Sequence, residues 1–296
     1  MIPEYPKIFT IGTTYVKSIL QYEVEVTEKV DGSFFSFGKI DGKLYMRSKG
    51  AELYLENPQQ MFIEAINYVD SIAGRIPDNT IYSCEYLKTK KHNVLEYRGI
   101  PKNHLALFSV SYPDGTFTSN WGEIAIRAEL LDIDVVPLLG AGKFTIEDLD
   151  TMLDIDSFLG GTKLEGVVAK LYTPMLIGGR IFPITCAKLV STKFKEVARD
   201  WKKEHTTRGS WEGFVESFRT EARWEKAIQR RRDAGELQEA PQDIGPLLKS
   251  IQEDIEAEEE EDIKEYLWHH FKSDLLRRSV AGFPQWYKDR LSGEVI

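Results

Sequence analysis

Up to about residue 200 the chain alternates apolar and polar positions in short runs; beyond it the apolar spacing lengthens to that of helices. Residues 22–28 (YEVEVTE) alternate strictly and predict a strand. Residues 35–40 and 43–47 are two further strand-like runs joined by Asp41-Gly42. That pair suits a two-residue type I′ hairpin turn, where both central positions need positive φ. Residues 81–87, 105–110, 163–171 and 184–190 also predict strands, with Gly178-Gly179 turning between the last two. Helical spacing marks residues 61–69, started by Asn57-Pro58, and then 121–131 and 145–153. From residue 198 the patterns are long and helical, rich in Arg and Lys, and the stretch from Pro241 to Pro246 separates two helical groups. Residues 253–265 form an acidic run that reads as a solvated helix face. The expectation is an α+β fold: antiparallel β-sheets with flanking helices over residues 1–200, then an all-α domain over 201–296.

Composition narrows this picture. The chain has 296 residues, enough for one large core and a smaller one, and its 42% apolar and 29% charged content fits a globular protein in water. No apolar run approaches the roughly 18 residues of a membrane span, and the start lacks a signal-peptide pattern, so the expected location is cytoplasmic. Cys84 and Cys186 are too few for a disulfide framework, and no Cys/His cluster has zinc spacing. His92, His104, His205, His269 and His270 read as structural or surface residues. A net charge of −9 argues against a broad nucleic-acid-binding surface, so any grip on a polynucleotide must come from clustered side chains. No signal for a protein partner is evident.

The chemistry enters with Lys29-Val30-Asp31-Gly32 and the downstream Arg47-Ser48-Lys49-Gly50. A lysine becomes a nucleophile when desolvation or a nearby cation lowers its pKa from about 10.4 towards neutrality. Attack on phosphorus then gives a lysyl-nucleotide, a covalent route to group transfer. Lys39-Ile40-Asp41-Gly42 matches the same pattern, but the hairpin turn accounts for it fully. Lys29, which closes the alternating strand, is the candidate.

The ordered set of segments resembles the covalent nucleotidyltransferases, which include polynucleotide ligases and messenger-RNA capping enzymes. After the two segments above come residues 82–86 (YSCEY), 107–110 (LFSV), 165–170 (EGVVAK) and 187–190 (AKLV), so that the set lies within residues 24–197. Within this superfamily the chain is similar to phage-type ATP-dependent RNA ligases. That likeness is carried by residues 29–33 with 48–50, by 91–97 (KHNVLEY) leading to 100–103, and by 188–196 (KLVSTKFKE). It implies a nucleotidyltransferase domain, ATP and Mg²⁺ (Mn²⁺ able to substitute) as cofactors, and RNA with 5′-phosphate and 3′-hydroxyl ends as partner. It implies a three-step reaction through a lysyl-AMP and an adenylylated RNA 5′ end, serving RNA repair, in the host cytoplasm if the chain is viral.

The resemblance also implies roles. Lys29 is the nucleophile, and Lys188 and Lys170 contact phosphate. Glu165 is the Mg²⁺-site carboxylate, acting through ordered water because Mg²⁺ sheds water reluctantly, with Asp31 beside it. Glu28, Arg47, Glu85, Phe108, Val168 and Lys188 bind the nucleotide. Glu85 and Arg47 reach ribose hydroxyls, and Phe108 and Val168 enclose the adenine. Two positions depart from relatives. The Lys-x-Lys of some members reads here as Lys188 and Val190 or as Cys186 and Lys188, with Lys193 a substitute contact, and Ser109 follows Phe108 where an acid is common. A helical tail differs from the β-rich barrel that follows this domain in DNA ligases and capping enzymes. A DNA nick-sealing ligase is the alternative within the superfamily. A non-catalytic RNA-binding protein that kept the fold is the other, and Lys29, Glu85, Glu165 and Lys188 together speak against it. In the tail, Arg219, Arg223, Lys226 and Arg230 fall on one stripe of a predicted helix, which reads either as a phosphate-tracking surface or as a solvated face.

Overall fold

The computed structural model describes residues 1–13, 16–177, 179–191, 211–233 and 236–292. It divides into two compact units, Met1–Leu247 and Leu248–Ile296. Gly178, residues 192–196 including Lys193, His205 and the boundary expected at residue 200 lie outside the described residues.

In chain order the strands are β1 (Ile8–Thr10), β2 (Val24–Lys29), β3 (Ser33–Ile40), β4 (Lys43–Ser48), β5 (Glu52–Leu53), β6 (Thr80–Tyr86), β7 (Leu105–Ser111), β8 (Asp134–Val135), β9 (Leu138–Gly142), β10 (Gly166–Leu171), β11 (Met175–Ile177), β12 (Arg180–Phe182) and β13 (Thr185–Val190). The helices are α1 (Ile63–Ser71), α2 (Trp121–Leu130), α3 (Ile146–Met152), α4 (Trp211–Glu216), α5 (Glu221–Asp233), α6 (Ile244–Ser279) and α7 (Phe283–Ser292). One sheet has the order β1-β13-β10-β2-β9 and a second β5-β4-β3-β6-β7-β8, while β11 and β12 form a separate hairpin. The α+β expectation holds. The pairing is antiparallel except at one edge of each large sheet, where β1 joins β13 and β8 joins β7 in parallel.

Local chemistry explains the elements. Asp41 and Gly42 adopt φ of 52° and 73°, the two positive values of a type I′ turn, and close the β3–β4 hairpin. Asn120 caps α2 by accepting from the Glu123 N–H, and Thr145 and Asp148 form a reciprocal capping box on α3. The first helix enters through a single 3₁₀ turn, Gln60–Phe62.

Strand alternation sorts each large sheet into two faces, one of which packs on helices. In the second sheet Phe35, Phe37, Tyr82, Cys84 and Leu107 pack on α1 and α2. In the first, Val24, Val26, Val167, Ala169 and Ala187 pack with Leu149 of α3. The intervening residues, Thr27 and Lys29 on β2, Val168 and Lys170 on β10, Cys186 and Lys188 on β13, share the other face.

Beyond residue 210 the secondary structure is helical, as the pattern predicts, but the basic stripe does not form. Arg219 lies in the turn before α5, and the Thr220 Oγ1 accepts the Arg223 N–H there (3.3 Å). Arg223 is fully buried at 0% exposure, so it is neither a phosphate contact nor part of a solvated face. Arg219, Arg231 and Arg232 are paired with Glu216, Glu236 and Glu239. In α6, Pro246 sits in the first turn, where its missing N–H costs nothing. The acidic run lies along this helix and is paired in part by Lys249 and Lys264. Among the described residues no helix is long and apolar enough to cross a membrane.

Candidate active site

Lys29 is the last residue of β2, directly opposite Gly166 on β10. Gly166 is required for a steric reason: a Cβ there would come within 2.4 Å of the Leu189 carbonyl oxygen. The residue before it, Glu165, receives the Lys29 amine on both carboxylate oxygens, at 2.7 and 2.6 Å. The side chains are 25% and 11% exposed, so the pair is largely buried yet still reached by solvent. Burial alone would pull the Lys29 pKa down. Glu165, Asp31 and Glu85 outweigh it, and the net shift is upward. In this arrangement Lys29 is an ammonium ion, held in place but not yet nucleophilic.

Glu85 reaches the same place from the second sheet. It lies on β6 between Phe34 of β3 and Ala106 of β7, on the face away from α1. Burial pushes its pKa up to about 8 against the opposing pull of Lys29. At neutral pH it therefore carries its proton and can donate a hydrogen bond, which suits a neutral hydroxyl partner.

Phe108 is positioned by a break in the β-ladder. Leu107 pairs with Cys84 and Ser109 with Ser83, so Phe108 is the extra residue of a bulge, a device that re-aims a side chain. Its carbonyl accepts from the Lys170 amine at 2.6 Å, and that amine lies 5.5 Å from the ring centroid. Lys170 is 3% exposed, and burial lowers its pKa. Expected as a phosphate contact, it is instead committed to the back of the Phe108 platform. Ser109 beside it is buried and uncharged, so it offers Lys170 no ion pair of the kind an acid would. Val168 and Lys188 pair across β10 and β13 and share the face of Lys29; Cys186 and Val190 lie on it too, so either reading of the Lys-x-Lys pair falls on this side.

Three expected site residues have their polar groups engaged by other parts of the chain. Glu28 alternates to the face opposite Lys29, where it accepts from Ser157 Oγ (2.6 Å) and the Phe158 N–H (3.2 Å). It pins the loop at residues 157–158. Arg47 donates to the Ile2 carbonyl (3.0 Å), to Glu4 (3.3 Å) and to the Ser48 carbonyl (3.2 Å), tying down the N-terminal segment. Asp31, expected at a metal, has one carboxylate oxygen accepting from the Val94 and Leu95 N–H groups (2.8 and 2.7 Å) and the other from Asn93 Nδ2 (3.2 Å).

Two features carried no signal in the sequence. Tyr5 stands edge-on to Phe108, with centroids 5.3 Å apart, and lies 3.6 Å from Cys186 Sγ through its hydroxyl. The segment 92–97 surrounds the turn after Lys29; its letters contributed to the resemblance but gave no hint of that contact. Among the described residues no cluster of three or more His, Cys, Asp or Glu could by itself hold a metal ion.

Comparison with known proteins gives the following. The family model RNA ligase matches residues 22–190. No curated protein matches the chain. Among solved structures, Naegleria gruberi RNA ligase with pyrophosphate is similar at 17% identity and a TM-score of 0.48, over 70% of this chain and 59% of that one. A variant of the same ligase with ATP and manganese gives 16% and 0.46, again over 70% and 59%. A third, with AMP and manganese, gives 16% and 0.45 over 70% and 60%. The chain thus spans less than two thirds of the length of those ligases.

Proposed function

The chain belongs to the RNA ligase family, and from that premise we propose that it joins RNA 3′-hydroxyl and 5′-phosphate ends at the expense of ATP, in RNA repair. The observation that carries this reading is the Lys29 amine, paired with both oxygens of the Glu165 carboxylate where β2 meets β10.

In the first step the uncharged Lys29 amine attacks the α-phosphorus of ATP. An N–P bond forms, the bond from that phosphorus to the pyrophosphate oxygen breaks, and the lysine proton leaves. In the second, an oxygen of the RNA 5′-phosphate attacks the same phosphorus and frees Lys29. In the third, the RNA 3′-hydroxyl attacks the activated 5′-phosphate, losing its proton, and AMP departs. Each step transfers anionic phosphorus, so positive charge must meet it; Lys188, on the face of Lys29, is the chain's candidate for that. Glu85 as a protonated acid would hydrogen-bond a ribose hydroxyl, and the Phe108 ring, backed by Lys170, would stack on the adenine with Val168 beside it.

The donor set fits a magnesium ion that keeps most of its waters, with Glu165 as its carboxylate; Asp31 has less to offer, since one of its oxygens already accepts two N–H bonds and the other accepts one. When bound, the ion supplies charge against the phosphates and competes with Lys29 for Glu165. What the chain itself must do is release Lys29 from that ion pair as a neutral amine.

The test is ligation of 5′-phosphate RNAs offered as single strands, nicked duplexes and stem-loop breaks, beside DNA nicks of the same sequence. Sealing of RNA ends with ATP consumption is the expected result. Sealing of DNA nicks in preference would assign the chain to nick-joining of DNA, and RNA binding with no sealing on any substrate would make it a binding protein.

A further inference from the structure

The turn that presents Lys29 is held almost wholly by residues far along the chain. The Asp31 N–H donates to the Tyr97 hydroxyl (2.8 Å). Asn93 Nδ2 donates both to the Gly32 carbonyl (2.7 Å) and to Asp31 (3.2 Å), and two backbone N–H groups of the same segment close on the other Asp31 oxygen. One residue further, the Lys88 N–H donates to His92 Nδ1 (3.0 Å), which leaves Nε2 as the protonated nitrogen facing Ser33 Oγ (2.9 Å). His92 is 1% exposed and Asp31 8%. Gly32 completes the fit, because a Cβ there would sit 2.7 Å from the Tyr86 carbonyl oxygen.

We propose that residues 92–97 form a positioning clamp for the nucleophile: they fix the turn after Lys29 so that its amine meets the α-phosphorus in line, and Asp31 is the residue of the Lys29–Gly32 segment that the clamp grips. Polar groups of four residues converge on two residues of one turn, Asn93, Val94 and Leu95 donating and Tyr97 accepting, far more than a surface loop needs to be stable. These bonds are largely shielded from water, so they hold direction as well as distance. A nucleophile must lie about 3–3.5 Å from its target with orbitals aligned, and a shift of 1 Å can cost about 100-fold in rate. A clamp acting through Asp31 therefore changes the rate of attack without touching ATP. None of its members is proposed to contact substrate; they are positioning residues. The inference rests on the lysyl-AMP reading of the site.

The experiment uses the full chain and separates that reading from the clamp. Adduct formation on the protein is followed in single turnovers with labelled ATP across ATP and magnesium titrations. Joining of pre-adenylated RNA, which does not need Lys29 as nucleophile, is measured in parallel. Asn93→Ala and His92→Ala should lower the maximal rate of adduct formation by roughly 10- to 100-fold. Half-saturation by ATP and by magnesium should stay within about twofold, and joining of pre-adenylated RNA should stay near that of the unchanged protein. His92→Gln, which can both accept from Lys88 and donate to Ser33 without titrating, should restore most of the rate. Should His92→Ala fail to fold, Asn93→Ser and the His92→Gln recovery carry the test. Three results would overturn the clamp: an unchanged rate in Asn93→Ala, an equal loss in adduct formation and pre-adenylated joining, or a tenfold rise in the magnesium requirement at unchanged maximal rate. If the unchanged protein forms no adduct, the lysyl-AMP reading itself fails, and that outcome is distinct from all three.

Discussion

Lys29 and Lys39 each begin a Lys-x-Asp-Gly segment, the first at the end of β2 and the second at the end of β3. In the first, Asp31 is buried and its carboxylate accepts three N–H groups from residues 93–95. In the second, Asp41 is exposed and contributes chiefly a tolerance of positive φ. The glycines differ as sharply. Gly32 is needed because nothing larger fits beneath Tyr86 and Leu87, whereas Gly42 has open space around its missing Cβ and is needed for its φ of 73°. The same four letters thus answer two unrelated physical demands, close packing around a nucleophile and the hand of a hairpin. A short motif acquires chemical meaning only from what surrounds it: here the acid Glu165, whose like Lys39 does not meet among the described residues.

The largest expected effect breaks the comparison outright. Lys29→Ala should abolish ATP-dependent joining, while Lys39→Ala should leave it near that of the unchanged protein. Pre-adenylated RNA should still be joined by Lys29→Ala. A Lys39→Ala protein that loses ATP-dependent joining while remaining folded would reverse the assignment.

Next comes the partner that distinguishes the two lysines. Glu165→Gln should slow adduct formation on the order of 100-fold, because the amine loses the group that aims it and the cation its carboxylate. The same change removes the first charge that raises the Lys29 pKa. What activity remains should therefore rise with pH at a lower pH than in the unchanged protein. A pH profile of the residual rate that does not move would show that Glu165 has no electrostatic hold on the amine.

Stability sharpens the contrast between the glycines. Gly32→Ala should cost about 3 kcal/mol, since backbone and packed side chains must shift to admit the methyl group. Gly42→Ala should cost about 1 kcal/mol, the penalty of positive φ without a clash. Urea unfolding of both variants measures the difference; equal losses would mean that Gly32 is not sterically constrained.

The smallest effect concerns Glu85. Its folded pKa of about 8 stands above the ordinary carboxyl value, so the folded protein keeps a proton that the unfolded chain releases. Stability from this group is therefore full below about pH 4.3 and declines as pH rises to about 8. Glu85→Gln removes the titration. It should raise the melting temperature at pH 9 and have little effect at pH 5. A gain that is the same at both pH values would place the cause elsewhere.

Much of the fold was legible because it is local. The alternation of β2, the Asp41-Gly42 turn, and the helices at 61–69, 121–131 and 145–153 each follow from spacing within a dozen residues. Lys29, Glu165, Glu85, Phe108, Val168 and Lys188 came as a set from the resemblance, and the meeting of Lys29 with Glu165 is the part of it that a direct contact supports. What escaped was tertiary. Nothing near Arg47 in sequence tells that residues 2 and 4 would take its guanidinium, and nothing near Lys170 announces the carbonyl freed by the bulge at Phe108. Glu28 came from the resemblance alone, and the period of two in a strand turns it to the face opposite its neighbour Lys29. Arg223 shows the same limit in the helical region: its spacing marks a stripe, but which face of a helix is buried depends on what packs there.

The central claim is that Lys29 carries the nucleotide. The most direct measurement is mass spectrometry of the full chain after incubation with ATP and magnesium, followed by digestion and mapping of the modified peptide. The account predicts a single acid-labile AMP addition on Lys29, absent from Lys29→Ala and unaffected by Lys39→Ala. An addition found on Lys39, or none on a folded protein that nevertheless joins RNA with ATP, would contradict it.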